Sequence, residues 1–358
     1  MLRVLQAAAA IAVMRRLARG RNRLGALGAA PPPSGRVSVV VPARNEAGRI
    51  GACLAGLADD PDFTEVLVVD DRSGDDTAEV ARAAGATVLA GVDPPAGWIG
   101  KPWALQQGVE ASTGDVVVCV DADTRPKPGL ARALVAALDD ADLVTAGTRF
   151  VCDSAGERFL HPSMLASLVF RYGPSDIEAP PRILSNGQCT AVRRVPFLAA
   201  GGYAASLGHM TDDAALARAL AARGWRIAFR DGAELIEVKM HDSAREAWRE
   251  WGRSLALADV EPPAWRVADA AVVWLTMALP VLRALRGRPR GLDWLLLAVR
   301  ASTLVALRGA YTRRGPAYWL SPLADPATAV RLTLSSLRQT RTWRGRTYAA
   351  APDRRALR

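Results

Sequence analysis

Apolar residues fall along this chain in two rhythms. From Val37 to Asp123, short β-branched runs alternate with stretches whose apolar positions recur every three or four residues. VSVVVP, at 37–42, reads as a buried strand that stops at its proline. EAGRIGACLAGLA has helical spacing, and EVLVVDD is a second strand ending on Asp70 and Asp71. DDTAEVARAAG predicts a helix with Gly85 just past its end. ATVLAG is a third strand, 101–111 a helix, and DVVVCVDAD a fourth strand ending on Asp121 and Asp123. Strands alternating with helices predict an α/β fold, an αβα sandwich with a mostly parallel central sheet. Ligands of such sheets sit at the carboxyl ends of the strands, where both acidic pairs fall.

The flanks follow a different pattern. Residues 2–14 are apolar, with Arg3 near the start and Arg15 and Arg16 after, and fall short of the ~20 residues that cross a bilayer. They predict an anchor helix at a membrane surface, and GALGAAPPPSG (25–35) reads as a linker. After Pro262 and Pro263, three apolar stretches follow: 268–285, 292–307 broken by Arg300, and a mixed one at 318–337. Arginine at a bilayer centre costs ~2.5–3.5 kcal/mol unless it faces protein or water. The pattern predicts one or two spanning segments plus helices lying in the interface, with a soluble bundle as the other reading of the third stretch. The expected organisation is an anchor and linker at 1–34, an α/β domain at 35–262 and a helical membrane-associated region at 263–358.

Charge sharpens this picture. The net charge is +10, yet residues 1–36 hold seven arginines and no acid, and the stretch from 283 onward is strongly basic, so the middle is net acidic. A nucleic-acid binder would carry its basic residues on the folded body, so no nucleic-acid partner is expected. Basic ends beside apolar segments fit the cytoplasmic face of a cell membrane. The four cysteines are isolated, which argues against a zinc site or a disulfide framework.

Two carboxylates separated only by Ala122, on a turn leaving a strand, can converge on one hard divalent cation such as Mg²⁺ or Mn²⁺, which shares oxygen ligands with substrate phosphates. The plainer reading is a solvated acidic turn.

Six segments carry a resemblance. VSVVVPARNEAGRI, VLVVDDRSGDDT, GKPWALQQG, VVVCVDADTRP, NGQCTAVRR with FLAAGGY, and TDDAALARAL occur in the order and approximate spacing of family 2 glycosyltransferases of GT-A fold, over about 37–260. The resemblance implies a nucleoside pocket lined by Pro42, Ala43 and Glu46, with Asp71 and Asp70 accepting hydrogen bonds from base or ribose; capping of the next helix is their alternative role. It implies Lys101 near the donor diphosphate, Asp121 and Asp123 as metal ligands, and Asn186, Gly187 and Gln188 flooring the sugar pocket. His241, in VKMHDS, is either a third metal ligand or a structural histidine; His161 and His209 have weaker claims. Asp212 and Asp213 stand at the family's acidic catalytic position, with Asp213 the general base that deprotonates the acceptor; helix capping after Thr211 is the alternative. A base opposite the leaving group implies single displacement with inversion. REAWREWGRSLAL (245–257) is similar to the helix of processive and lipid-directed members, but lacks their Q/R-x-x-R-W order. Trp248, Trp251 and Arg253 are expected at the acceptor or diphosphate side, without polymer synthesis.

PPAGWIGKPWALQQGV, the REWGRSLAL helix and the ending TWRGRTY resemble more narrowly the glycosyltransferases of hopanoid and carotenoid pathways. The implied reaction moves a hexose from a nucleotide sugar, UDP-glucose by family expectation, to an isoprenoid lipid at the membrane, with the catalytic domain cytoplasmic. A polyprenyl-phosphate sugar synthase is the nearest rival, and a non-catalytic membrane scaffold the alternative of another class. The pattern sets no oligomeric state.

Overall fold

A computed structural model describes residues 1–338 and, by backbone only, residues 342–343 and 346–347. α1 (Leu2–Ala18) leads to β1 (Val37–Ala43), α2 (Ile50–Ala58), β2 (Glu65–Asp70), α3 (Thr77–Ala83), β3 (Thr87–Ala90), α4 (Gly100–Ala111) and β4 (Val116–Val120). This is the alternation read from the pattern. β1 runs one residue past its proline, because a proline near a strand end loses one donor but keeps an extended backbone. Next come β5 (Thr124–Pro126), α5 (Leu130–Ala137), β6 (Leu143–Gly147), β7 (Arg149–Phe150), α6 (Ala155–Tyr172), β8 (Cys189–Arg193), α7 (Arg194–Ala199), α8 (Asp212–Ala221), β9 (Ile227–Asp231), β10 (Ile236–Val238) and α9 (Ala244–Glu250). The rest is helical: α10 (Pro263–Val273), α11 (Leu279–Leu285), α12 (Gly291–Leu307), α13 (Gly315–Trp319) and α14 (Asp325–Leu337).

The described chain forms two compact units. A sheet unit takes Leu24–Arg149 and Ile183–Val238; a helical unit takes Met1–Arg23, Phe150–Arg182 and the stretch from Lys239. The units are interleaved along the chain, whereas the expected blocks, 1–34, 35–262 and 263–358, run consecutively. Part of the expected linker is folded in: Leu27 is buried in the core of the sheet unit, and its N–H donates to the carbonyl of Asp231 at 2.8 Å.

The seven-stranded sheet has the order β3-β2-β1-β4-β8-β6-β9. β1 pairs in parallel with β2 and β4, β2 with β3, and β6 with β9; β8 runs antiparallel to both β4 and β6. Strand alternation divides the core. Val39, Val41, Val118 and Val120 pack with Ile50 and Leu57 of α2. Val40, Val117 and Cys119 pack with Leu105 of α4 and Leu216 of α8. Helices on both faces explain why these strands read as unbroken apolar runs.

In the helical unit, Val13 of α1, Phe170 of α6, Met277 and Leu332 share one core. The helices after Pro262 are therefore not a separable tail. Arg300 of α12 is 1% exposed and pairs with Asp325 of α14 at 2.9 Å, which also accepts from Ser163 of α6 at 2.6 Å. The arginine inside an apolar run faces protein, as its cost in lipid required. Helix Pro263–Leu285, with a π turn at Trp274–Ala278, is the one among the described residues long and apolar enough to cross a membrane. The helix expected at 245–257 stops at Glu250 and gives way to a 3₁₀ turn, Gly252–Ser254. Gly252 is pressed against the Arg331 side chain where a Cβ would collide, and Leu257 takes φ +48°. The ending at 342–348 lies largely outside the described residues; Thr342–Trp343 pairs antiparallel with Arg346–Thr347.

Candidate functional site

The site forms where β1, β2 and β4 release the chain. The turn after β1 is zipped to the turn after β2. Asn45 Oδ1 accepts from Gly74 N–H at 2.8 Å, Asn45 N–H donates to Ser73 Oγ at 3.0 Å, and Glu46 N–H donates to Thr77 Oγ1 at 2.8 Å. Asn45 and Arg72 both take φ +54°, a left-handed conformation uncommon for non-glycine residues and often kept where a backbone must present a ligand surface. Neither stood among the named site residues, although Asn45 lies in the turn that follows the first strand. Pro42 and Ala43 are in register with Val69 and Asp70, so the expected nucleoside contacts lie at one edge. Asp71 is buried, with Arg44 at 3.8 Å, and Asp70 Oδ1 accepts from Ser73 N–H at 3.2 Å.

Beside this edge, Lys101 of α4 reaches the end of β4. Its Nζ lies 2.6 and 2.8 Å from the two carboxylate oxygens of Asp121 and 3.4 Å from the carbonyl of Gly187. Gly187 N–H in turn donates to Asp213 Oδ2 at 3.1 Å, while Asp213 Oδ1 accepts from Ala214 N–H at 2.7 Å. A Cβ on Gly187 would lie 3.2 Å from that of Asp213 and 3.4 Å from Lys101 Nζ, so glycine lets the basic and acidic groups close on one peptide. The side chains of Asn186 and Gln188 are hydrogen-bonded to the segment's own surroundings. The Asn186 amide donates to Ala146 O at 2.8 Å and Gln188 Oε1 at 3.1 Å, and Thr148 Oγ1 donates to Gln188 Oε1 at 2.6 Å, so both brace the segment against β6 and Thr148. Thr211 stands at the start of α8 without a capping side-chain bond.

Electrostatics follow from burial and sign. Burial weakens the Lys101 charge, but Asp121, Asp212 and Asp213 outweigh it and hold the ammonium above the ordinary lysine range. Burial pushes Asp212 up to about 7; Lys101 opposes this, and the neighbouring charges of Asp213 and Asp121 add to it. Asp213 is also pushed up by burial, against the hydrogen bonds from Ala214 and Gly187 and the charge of Lys101.

Residues 38–198 match the family model described as Glycosyl transferase family 2. Over that stretch the chain is similar to family 2 glycosyltransferases. It is similar to the 4,4'-diaponeurosporenoate glycosyltransferase of Staphylococcus aureus (strain USA300), 26% identical over 250 residues, which cover 67% of this chain and 65% of that protein. The match thus spans less than two thirds of that relative's length. The chain also resembles the mannosyltransferase PcManGT from Pyrobaculum calidifontis, solved in complex with GDP-Man and Mn²⁺: TM-score 0.55, 20% identity, 94% of this chain and 99% of that one. That likeness shows the fold, a GT-A-like sandwich with a helical C-terminal region.

Within the matched stretch, Asp121 and Asp123 leave β4 as two half-buried carboxylates. This donor set fits a hard cation that takes one or two protein carboxylates and completes its shell with substrate phosphates. Among the described residues, no group of three His, Cys, Asp or Glu side chains forms a cation cage. Of the expected metal ligands, Asp121 is paired with Lys101 in the sheet unit, and His241 is a buried residue of the helical unit. The expected acceptor-side residues also belong to that unit. Trp251 stacks on His161, ring centroids 4.5 Å apart; the Trp248 carbonyl accepts from Arg331 Nε at 2.8 Å; Arg253 pairs with Glu250 at 3.2 Å.

Proposed function

We propose that this chain is a membrane-associated inverting glycosyltransferase that moves a hexose from a nucleotide sugar, UDP-glucose foremost, to a hydroxyl or carboxyl of an isoprenoid-type lipid. The observation that carries the reading is the meeting of Lys101 and Asp213 on Gly187, with Asp121 held by Lys101, beside the carboxyl ends of parallel strands. Such a group can bind a diphosphate and deprotonate a hydroxyl in one place.

Pro42, Ala43, Glu46, Asp70 and Asp71 receive the nucleoside. Lys101 offers an ammonium to the diphosphate. Asp121 and Asp123 would hold Mg²⁺ or Mn²⁺, which supplies Lewis-acid neutralisation of the leaving diphosphate. Asp213 takes the acceptor proton as the acceptor oxygen bonds to the anomeric carbon and the bond to the diphosphate breaks. Its two backbone hydrogen bonds fix the carboxylate plane and leave each oxygen a further lone pair. The family 2 match, the name of the Staphylococcus relative and helix Pro263–Leu285 support the lipid and membrane parts of the reading.

The test compares lipid extracts, by mass spectrometry, from cells carrying the wild-type gene, no gene, or Asp123→Asn. A hexose-sized increment present only with the wild-type gene is expected. Full activity of the purified enzyme in EDTA would remove the metal from the scheme, and an increment on a water-soluble acceptor alone would remove the lipid.

A further inference from the structure

The helical unit is apolar on its outside as well as its inside. Among the described residues, every exposed large apolar side chain except Val92 and Val195 belongs to it. α1 buries Gln6, Ala9, Ala10 and Val13, yet exposes Leu2, Val4, Leu5, Ile11 and Met14. A helix apolar all round belongs in a core or against lipid. Three exposed tryptophans, Trp265, Trp294 and Trp319, lie on the same unit, and indoles concentrate at membrane–water interfaces.

A cavity of ≈ 400 Å³, lined by Arg3, Gln6, Arg290 and Leu292, opens between α1 and the start of α12. Its one nearby acid is already neutralised. Asp293, fully buried, accepts from Gln6 Nε2 at 2.7 Å, from Arg290 N–H at 3.0 Å and from Arg283 Nη1 at 3.1 Å. The guanidinium groups of Arg3 and Arg290 form no ion pair among the described residues, so two cationic forks remain at one mouth. Leu2 and Leu5 on one side, and Trp294 and Leu295 on the other, adjoin them in sequence and are exposed. Guanidinium forks match phosphate oxygens in pairs. Exposed aliphatic and indole side chains beside them place such a phosphate at the edge of a bilayer.

We infer that this cavity seats the phosphate of an anionic membrane phospholipid, so that the helical unit docks on anionic bilayers through Arg3 and Arg290. The inference rests on the membrane-association reading above and adds a lipid site separate from the donor and acceptor. In the test, the full chain in mixed micelles is offered equal amounts of phosphatidylglycerol and phosphatidylcholine, and the retained lipid is weighed by native mass spectrometry. Phosphatidylglycerol is expected to dominate, with Arg3→Gln and Arg290→Gln each lowering the preference about five-fold, the effect of roughly one interfacial arginine. Arg125→Gln, an exposed change on the sheet unit, is expected to leave the preference unchanged. Equal retention of the two lipids, or an equal loss in Arg125→Gln, overturns the site. Release of the lipid by millimolar inorganic phosphate overturns the lipid assignment in favour of a free-phosphate site. Calorimetry of UDP binding on the same preparations separates the two readings. Nucleotide binding without lipid preference defeats this inference alone; lipid preference without nucleotide binding defeats the proposed function alone.

Discussion

Lys101 holds Asp121 by both carboxylate oxygens, at 2.6 and 2.8 Å. The first acid of the strand-end pair thus has a cation of the protein's own, and any divalent ion using that acid competes with an ammonium. Lys101→Met is expected to tighten Mn²⁺ binding to the nucleotide-free protein, because a competing positive charge is gone. The same change should weaken nucleotide-sugar binding by ~10-fold or more, the scale of one lost charge-assisted hydrogen bond. Two titrations by calorimetry decide it. An unchanged Mn²⁺ affinity would mean that Asp121 is not a ligand.

Asp213→Asn keeps an oxygen for the Gly187 N–H while removing a base. A kcat lowered by ~10²–10⁴, with donor affinity little changed, is the expected result. If donor affinity collapses instead, Asp213 belongs to binding rather than to proton transfer.

The raised Asp212 carries a stability signature. Its value in the fold, about 7, exceeds the ordinary 3.8, so its protonated form favours the folded state. That contribution is complete below the ordinary value and is lost as pH rises through the folded one. The Tm of the metal-free, donor-free protein should therefore fall between pH 5 and pH 8, and Asp212→Asn should flatten the decline. Parallel Tm profiles for the two proteins would show that Asp212 ionises normally.

In the helical unit, Arg300 and Asp325 are both buried and joined at 2.9 Å. Removing one partner strands the other charge, so Arg300→Leu should cost ~3–5 kcal/mol in thermal or denaturant unfolding. Adding Asp325→Leu should recover most of that loss. A double variant no more stable than the single one would mean that lost packing, not the stranded carboxylate, is the cost.

The sheet was legible because a strand buried on both faces leaves a local mark, an unbroken β-branched run. The acids at its ends were legible because aspartate interrupts that run. The grip of Lys101 on Asp121 was not, since the two lie on different elements and meet only once α4 packs on the sheet. Nor does local pattern reveal that the Asn186 amide is used up on Ala146 and Gln188. Arg300 was read correctly because its cost in lipid is large enough to dictate a protein partner, yet nothing in its neighbourhood named Asp325. Trp248 and Trp251 were expected at the acceptor side through the resemblance of their helix to that of lipid-directed members; in the fold both are partly buried against the core of the helical unit.

Interleaving imposes an order of assembly in time. Roughly 220 residues separate Arg23 from Lys239, and a ribosome adding ~5–20 residues per second needs ~10–45 s to cross them. Every strand of the seven-stranded sheet has emerged before α10 exists. During that interval α1 lacks the partners from α10 and beyond that later share its core, among them Val273 and Met277. On the proposed membrane-associated reading, the exposed apolar residues of this first helix are available to a bilayer while the sheet closes, before the helical unit is complete.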